Sequence, residues 1–162
     1  MSTGNLTLAV ECYEESIEII RGLQGIGRLL GAIYSNLGAS YRHMDDYENA
    51  TVCLRNAVNM NRMLSDRSDV MVVSLLNYAT SYVGNATRSL SLLNEAYNIR
   101  AEIGLKHYST GMIQYHRGRM QLSLEQFHRA ADSLKMQLIY SSQRKVSVQD
   151  IWRKHCSCGV LH

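Results

Sequence analysis

Between residues 31 and 63 the chain carries two apolar stripes separated by an acidic pair. Leu37, Tyr41 and Met44 recur at intervals of three and four, which is one face of a helix. Asp45 and Asp46 then break and cap, and a second stripe runs from Tyr47 through Ala50, Leu54, Ala57 and Val58. Small residues at Gly38, Ala50 and Ala57 fall where two antiparallel helices must approach closely, and the large residues beside them fill the gaps. The segment predicts a helical hairpin.

The pattern recurs. Moved forward by 41 residues, Asn36 meets Asn77 and Tyr41 meets Tyr82; moved back by the same step, Cys53 meets Cys12 and Leu54 meets Tyr13. A step of 39 takes Leu54 to Leu93 and Ala57 to Ala96, and a step of 34 takes Leu93 to Phe127 and Ala96 to Ala130. Gly111 and Gly118 repeat the spacing of Gly38 and Asp45, which places a turn near 118. A register held over four segments makes the chain an array of helix pairs. The expected helices are 5–22, 25–44, 47–65, 68–83, 86–103, 105–117 and 119–139, with a short one at 147–155 begun by Ser147 and Asp150. An orphan helix at 5–22 and pairs at 25–65, 68–103 and 105–139 form an array over 1–140; residues 141–162 read as a partly disordered tail.

The segment 31–62 resembles a tetratricopeptide repeat through Leu37-Gly38, Tyr41, Tyr47, Ala50, Leu54 and Ala57. Weaker matches cover 72–101, where Ala79 replaces the glycine, and 104–135 through Gly111, Gly118, Phe127 and Ala130. The unit of about 41 residues is similar to the longer-helix branch of the family found in signalling and polarity adaptors. The resemblance implies an all-α, right-handed superhelical solenoid of stacked antiparallel helix pairs. It also implies a concave groove, lined by the first helix of each pair, that takes a peptide or a partner helix. Asn36 and Asn77 match the family's groove asparagines, and an amide suits a peptide bond because it offers a donor and an acceptor together. Beside them on the same helices stand Ser35, Ala39, Arg42 and His43, then Val73, Leu76, Thr80 and Val83, and on the last pair Tyr108, Met112 and Tyr115. Arg42 and Lys106 are the only basic groove candidates, too few for a basic carboxylate clamp.

Composition removes other classes. The chain of 162 residues has no proline, which leaves long helices uninterrupted, and strand-type alternation is scarce. No apolar run reaches the length of a membrane span, and no secretory leader opens the chain. Cysteines at 12, 53, 156 and 158 suggest no disulfide framework, so the setting reads as cytoplasmic. Asn5, Asn49 and Asn85 sit in Asn-x-Thr triplets, and all three fall at expected helix starts, where capping accounts for them. A net charge of +3 is spread over helix faces rather than a basic stripe, which counts against nucleic acid.

His155, Cys156, Cys158 and His162 supply four zinc-type ligands, but Cys-x-Cys has the wrong gap and no second half exists. No phosphate loop, nucleophile elbow or metalloprotease motif is present. The chain therefore reads as a non-catalytic interaction module or scaffold without cofactor or metal. Two other readings are a regulatory or sensor segment of a larger signalling protein, and an RNA-binding repeat. The opening helix looks like a second helix whose first is missing. Its stripe Leu8, Cys12 and Ile19 would face that first helix, and Leu6, Val10, Tyr13, Ile17 and Ile20 spread over more than half the circumference, too wide for all to face the next hairpin, which predicts an exposed apolar strip and self-association.

Overall fold

Among the described residues seven helices follow one another in the computed structural model: α1 (Thr3–Ile20), α2 (Gly27–His43), α3 (Tyr47–Met63), α4 (Asp69–Ser81), α5 (Ala86–Ile103), α6 (Tyr108–Ser123) and α7 (Phe127–Cys156). The structure describes residues 3–21, 23, 26–82, 84–105 and 107–156, with side chains described from residue 5 to 142. Among the described residues there is no strand, and no helix is long and apolar enough to cross a membrane. Two compact units divide the chain, residues 1–103 and 104–162.

Local chemistry sets the helix ends. Asp46 accepts from the backbone N–H of Asn49 (3.1 Å), Ser68 from Val70 (3.2 Å), and Asn85 from Arg88 (2.9 Å), each satisfying an orphan donor of the first turn. Asn85 is thus the cap of α5, whereas Asn49 lies inside α3 behind its cap Asp46. Three helices stop by one device. Asp45, Ser65 and Glu125 have positive φ (61°, 50° and 58°). Around them the N–H of Asp46, Asp66 and Gln126 reaches back to the carbonyl of Tyr41, Asn61 and Gln121 (3.0, 2.9 and 2.8 Å). This six-to-one bond closes the helix through a left-handed residue, a place where glycine is favoured. Glutamate has no short side chain to support that conformation, unlike aspartate. Glu125→Gly should therefore stabilise the second unit by about 0.5–1 kcal/mol, read from the midpoint of chemical denaturation.

In the first unit each helix packs antiparallel on the next. Tyr41 donates to Glu14 (2.6 Å) across α1 and α2, and Thr51 meets Ser81 (3.3 Å) across α3 and α4. Ser89 donates to the Ala79 carbonyl (2.7 Å) across α4 and α5. The first helices of the two pairs, α2 and α4, also touch side by side. The core runs through Leu37, Ala50, Leu54, Ala57, Val58, Val72, Leu75, Leu93 and Ala96.

The close approach expected at Gly38 is present. A Cβ there would stand 2.5 Å from Leu54 Cγ and 3.1 Å from the Ala50 carbonyl oxygen. Glycine at 31 serves a second contact, since a Cβ would meet Asn61 Oδ1 at 2.6 Å. Cys53 lies in the same layer, and burial pushes its thiol up to about 11, which keeps it an unreactive core residue.

The α1 expectation changes. Val10 and Ile17 are buried, and Tyr13 packs with them against Leu30, Ile33, Tyr34 and Leu37. Leu6 and Ile20 are half-buried. Leu8, Cys12 and Ile19 are exposed, as expected of the stripe left uncovered, while α2 covers a wider arc of α1 than the helical spread suggests.

The second unit is one hairpin, and its register differs from the sequence expectation. The turn falls at Glu125, not near 118, and α6 runs on to Ser123. Gly118, not Gly111, occupies the place of Gly38: its Cβ would stand 2.8 Å from Leu134 Cγ, whereas that of Gly111 meets nothing closer than 3.7 Å. Gly118, Phe127, Ala130 and Leu134 each stand 80 residues after Gly38, Tyr47, Ala50 and Leu54. Residues 147–155 lie within α7 rather than in a separate helix.

Candidate functional site

The face shared by α2 and α4 holds most of the expected binding residues. The two helices run parallel as neighbours, and Arg42 on α2 donates from Nη1 to Thr80 Oγ1 on α4 (3.0 Å). Thr80 in turn donates to the Asn77 carbonyl (2.9 Å), which fixes its hydroxyl. The rest of the Arg42 fork is unspent, and its Nε is buried with no partner among the described residues. A buried N–H without an acceptor is uncommon and calls for a ligand or water.

Asn36 is exposed and Asn77 half-buried, and neither side-chain amide has a hydrogen-bond partner among the described residues. They occupy equivalent positions on the two helices. Ala39, Val73 and Thr80 are half-buried on the same helices, and His43 is exposed at the end of α2. Ser35 and Leu76 are different: at 4% and 9% exposure they belong to the packing between helices and present little to a ligand. Position 35 faces inward because the three-residue interval from Ser35 to Gly38 puts both on the hairpin seam.

Electrostatics at the margin are mild. The Tyr41 hydroxyl is held well above its usual range by its hydrogen bond to Glu14, so it stays a neutral donor. Tyr47 is raised in the same way by Asp45.

On α6, within the second unit, Tyr108, Met112 and Tyr115 are exposed along one side of the helix. The Arg119 guanidinium lies 5.8 Å from the centre of the Tyr115 ring, a cation–π contact. The corrected register makes His116 the counterpart of Asn36 and Arg119 that of Ala39, and the sequence does not single out Arg119. The signal was available in the eighty-residue recurrence of Gly38, Ala50 and Leu54. Val83, Lys106, Cys158 and His162 lie outside the described residues, and the side chains of His155 and Cys156 lie outside the described side chains. Among the described residues no group of three or more His, Cys, Asp or Glu is placed to hold a metal ion.

Stacked antiparallel hairpins with small residues at the seams define a helical-repeat solenoid. Residues 31–62 match the family model of the tetratricopeptide repeat. A solved structure of the nearly identical TPR-like repeats of a protein described as a kinesin light chain from Podosopora anserina has the same fold. Its TM-score is 0.68 at 19% identity, over 88% of this chain and 69% of that one. No curated protein matches the sequence. Residues 31–62 thus carry a tetratricopeptide repeat, set in an all-α helical-repeat fold. Repeats of this kind are generally protein-interaction modules and typically non-catalytic scaffolds.

Proposed function

We propose that the α2–α4 face binds an extended peptide segment of a protein partner, and that the chain acts as a cytoplasmic adaptor or scaffold without catalytic activity. The observation that carries this reading is the pair of partnerless amides, Asn36 and Asn77, at equivalent positions on parallel neighbouring helices. Each amide can serve one peptide bond as donor and acceptor, and the unspent Arg42 fork can take a carbonyl or carboxylate of the same segment. Tyr108, Met112 and Tyr115 supply an apolar stripe for partner contacts in the second unit. The free thiols of Cys12 and Cys53 suit a reducing compartment.

A peptide selected against the whole chain from a random display library provides the probe. Replacing Asn36 and Asn77 together by Ala should weaken its binding about tenfold or more, while helicity and melting stay unchanged. A matching loss of melting temperature would make the two residues structural and overturn the reading, as would unchanged affinity.

A second contact surface is favoured by the exposure of Leu8 (61%) and Ile19 (73%) on the outer side of α1. We propose that this strip pairs with its copy in a second molecule. Sedimentation should show concentration-dependent dimers that Leu8→Glu or Ile19→Glu abolishes; a monomer at every concentration with α1 folded would refute it.

A further inference from the structure

Second helices of the two pairs in the first unit, α3 and α5, carry a feature that the peptide face does not use. Arg55, Asn59 and Arg62 follow one another at four and three residues on α3, so they share one side of that helix. Arg88, Ser91, Leu92 and Glu95 do the same on α5. The two rows face each other across a cleft of about 330 Å3, floored by Tyr78 of α4. At one end Arg62 and Glu95 close it with a two-point ion pair, Nε to Oε1 at 3.3 Å and Nη2 to Oε2 at 2.6 Å.

Among the described residues the remaining cations have no carboxylate to answer them. Arg55 is exposed and makes no ion pair among the described residues. Arg88 lies 5.9 Å from the centre of the Tyr82 ring, and its neighbours are the Tyr78 and Tyr82 hydroxyls, which are 2.8 Å apart. Those phenols keep Arg88 firmly protonated and aligned without neutralising it. The lining thus holds three guanidinium groups against Glu95 alone, with the Tyr78, Ser91 and Asn59 side chains as further polar groups.

We propose that the cleft between α3 and α5 is a binding site for a phosphate monoester. Guanidinium forks present paired N–H groups in the geometry of phosphate oxygens, and a dianion matches the two uncompensated arginines. A single carboxylate would leave one of them unanswered. The Tyr78 and Ser91 hydroxyls and the Asn59 amide serve the remaining oxygens. The site stands on α3 and α5, whereas the peptide reading rests on α2 and α4, so each is tested without the other. The phosphate has two sources, a phosphorylated side chain on a protein partner or a free phosphate compound.

Three probes on the whole chain decide this: inorganic phosphate, a short glycine-rich peptide with one phosphoserine, and the same peptide unphosphorylated. Inorganic phosphate should raise the melting temperature above that in chloride at matched ionic strength, and calorimetry should register the phosphopeptide but not its twin. Arg55→Ala and Arg88→Ala should each weaken binding about tenfold. Arg67→Ala, which removes an exposed arginine paired with Glu102 elsewhere, and the Asn36/Asn77 double variant should leave it unchanged. Binding of the phosphopeptide much tighter than of inorganic phosphate assigns the source to a modified partner; the reverse assigns it to a free compound. Absence of binding to both, equal binding of the two peptides, or indifference to Arg55 and Arg88 overturns the proposal.

Discussion

Gly38→Ala is expected to destabilise the first unit, although alanine is the better helix former by about 1 kcal/mol. The added Cβ would sit 2.5 Å from Leu54 Cγ, 3.0 Å from its Cδ2 and 3.1 Å from the Ala50 carbonyl oxygen. Leu54 is fully buried and the carbonyl is backbone, so neither can give way cheaply. Overpacking of this sort costs about 1–3 kcal/mol, and Gly38→Leu should lie at or beyond the upper end. Gly38, Gly118 and Gly111 then fall in an order. Gly118→Ala should cost less, because its obstacle is the half-buried Leu134 side chain and the Ala130 carbonyl is 3.5 Å away. Gly111→Ala should be neutral or stabilising, since its Cβ meets only ordinary contacts. Denaturation midpoints of the three variants check this ranking. A costly Gly111→Ala with a harmless Gly118→Ala would restore the register expected from the sequence.

Ile17→Asp should release α1 from the first unit. Ile17 is 4% exposed in a layer with Val10, Leu37 and Cys53, and losing its burial alone removes about 1.5–3 kcal/mol. An aspartate there must either be dehydrated or leave, because the cation one turn on, Arg21, is exposed and already paired with Glu18. Leaving is the cheaper course, because α1 contacts only α2 in force, the Tyr41–Glu14 hydrogen bond included. Circular dichroism should therefore lose roughly the signal of an 18-residue helix while a cooperative melt persists. Val10→Glu should behave alike, and for that reason it cannot serve as a probe of self-association; Leu8 and Ile19 can. Full helicity in Ile17→Asp would show that the α1–α2 seam is not the anchor described.

Much of this architecture can be read from residue spacing. The stripes at 31–63 and the acidic pair at 45 and 46 specify a hairpin, and α3 begins at Tyr47 as the capping chemistry requires. The α6–α7 turn was harder because Glu125 takes a left-handed conformation without the glycine that usually marks it. A seven-residue interval between Gly111 and Gly118 imitates the interval from Gly38 to Asp45, and only the contact with Leu134 separates the two registers. On the candidate face, Asn36 and Asn77 came from the resemblance and Arg42 and Thr80 from their places on the same helices, and the structure joins the two helices through the Arg42–Thr80 bond. The burial of Ser35 and Leu76 was not legible, since exposure depends on how deeply α2 and α4 lean on their neighbours. The arginine cleft was invisible for another reason: its two rows lie on helices whose partners are 33 residues apart, a distance no local pattern reports.

Every strong seam in the first unit joins helices next to each other in the chain or one removed, and the second unit is a single hairpin. Loops between such neighbours are short, so closing them loses little chain entropy. Low contact order of this kind goes with folding in microseconds to milliseconds. The chain also has no proline, which removes the slow isomerisation that delays refolding in many proteins by tens of seconds or more. Either hairpin with a glycine lock can nucleate on its own, and growth then passes from one helix to the next.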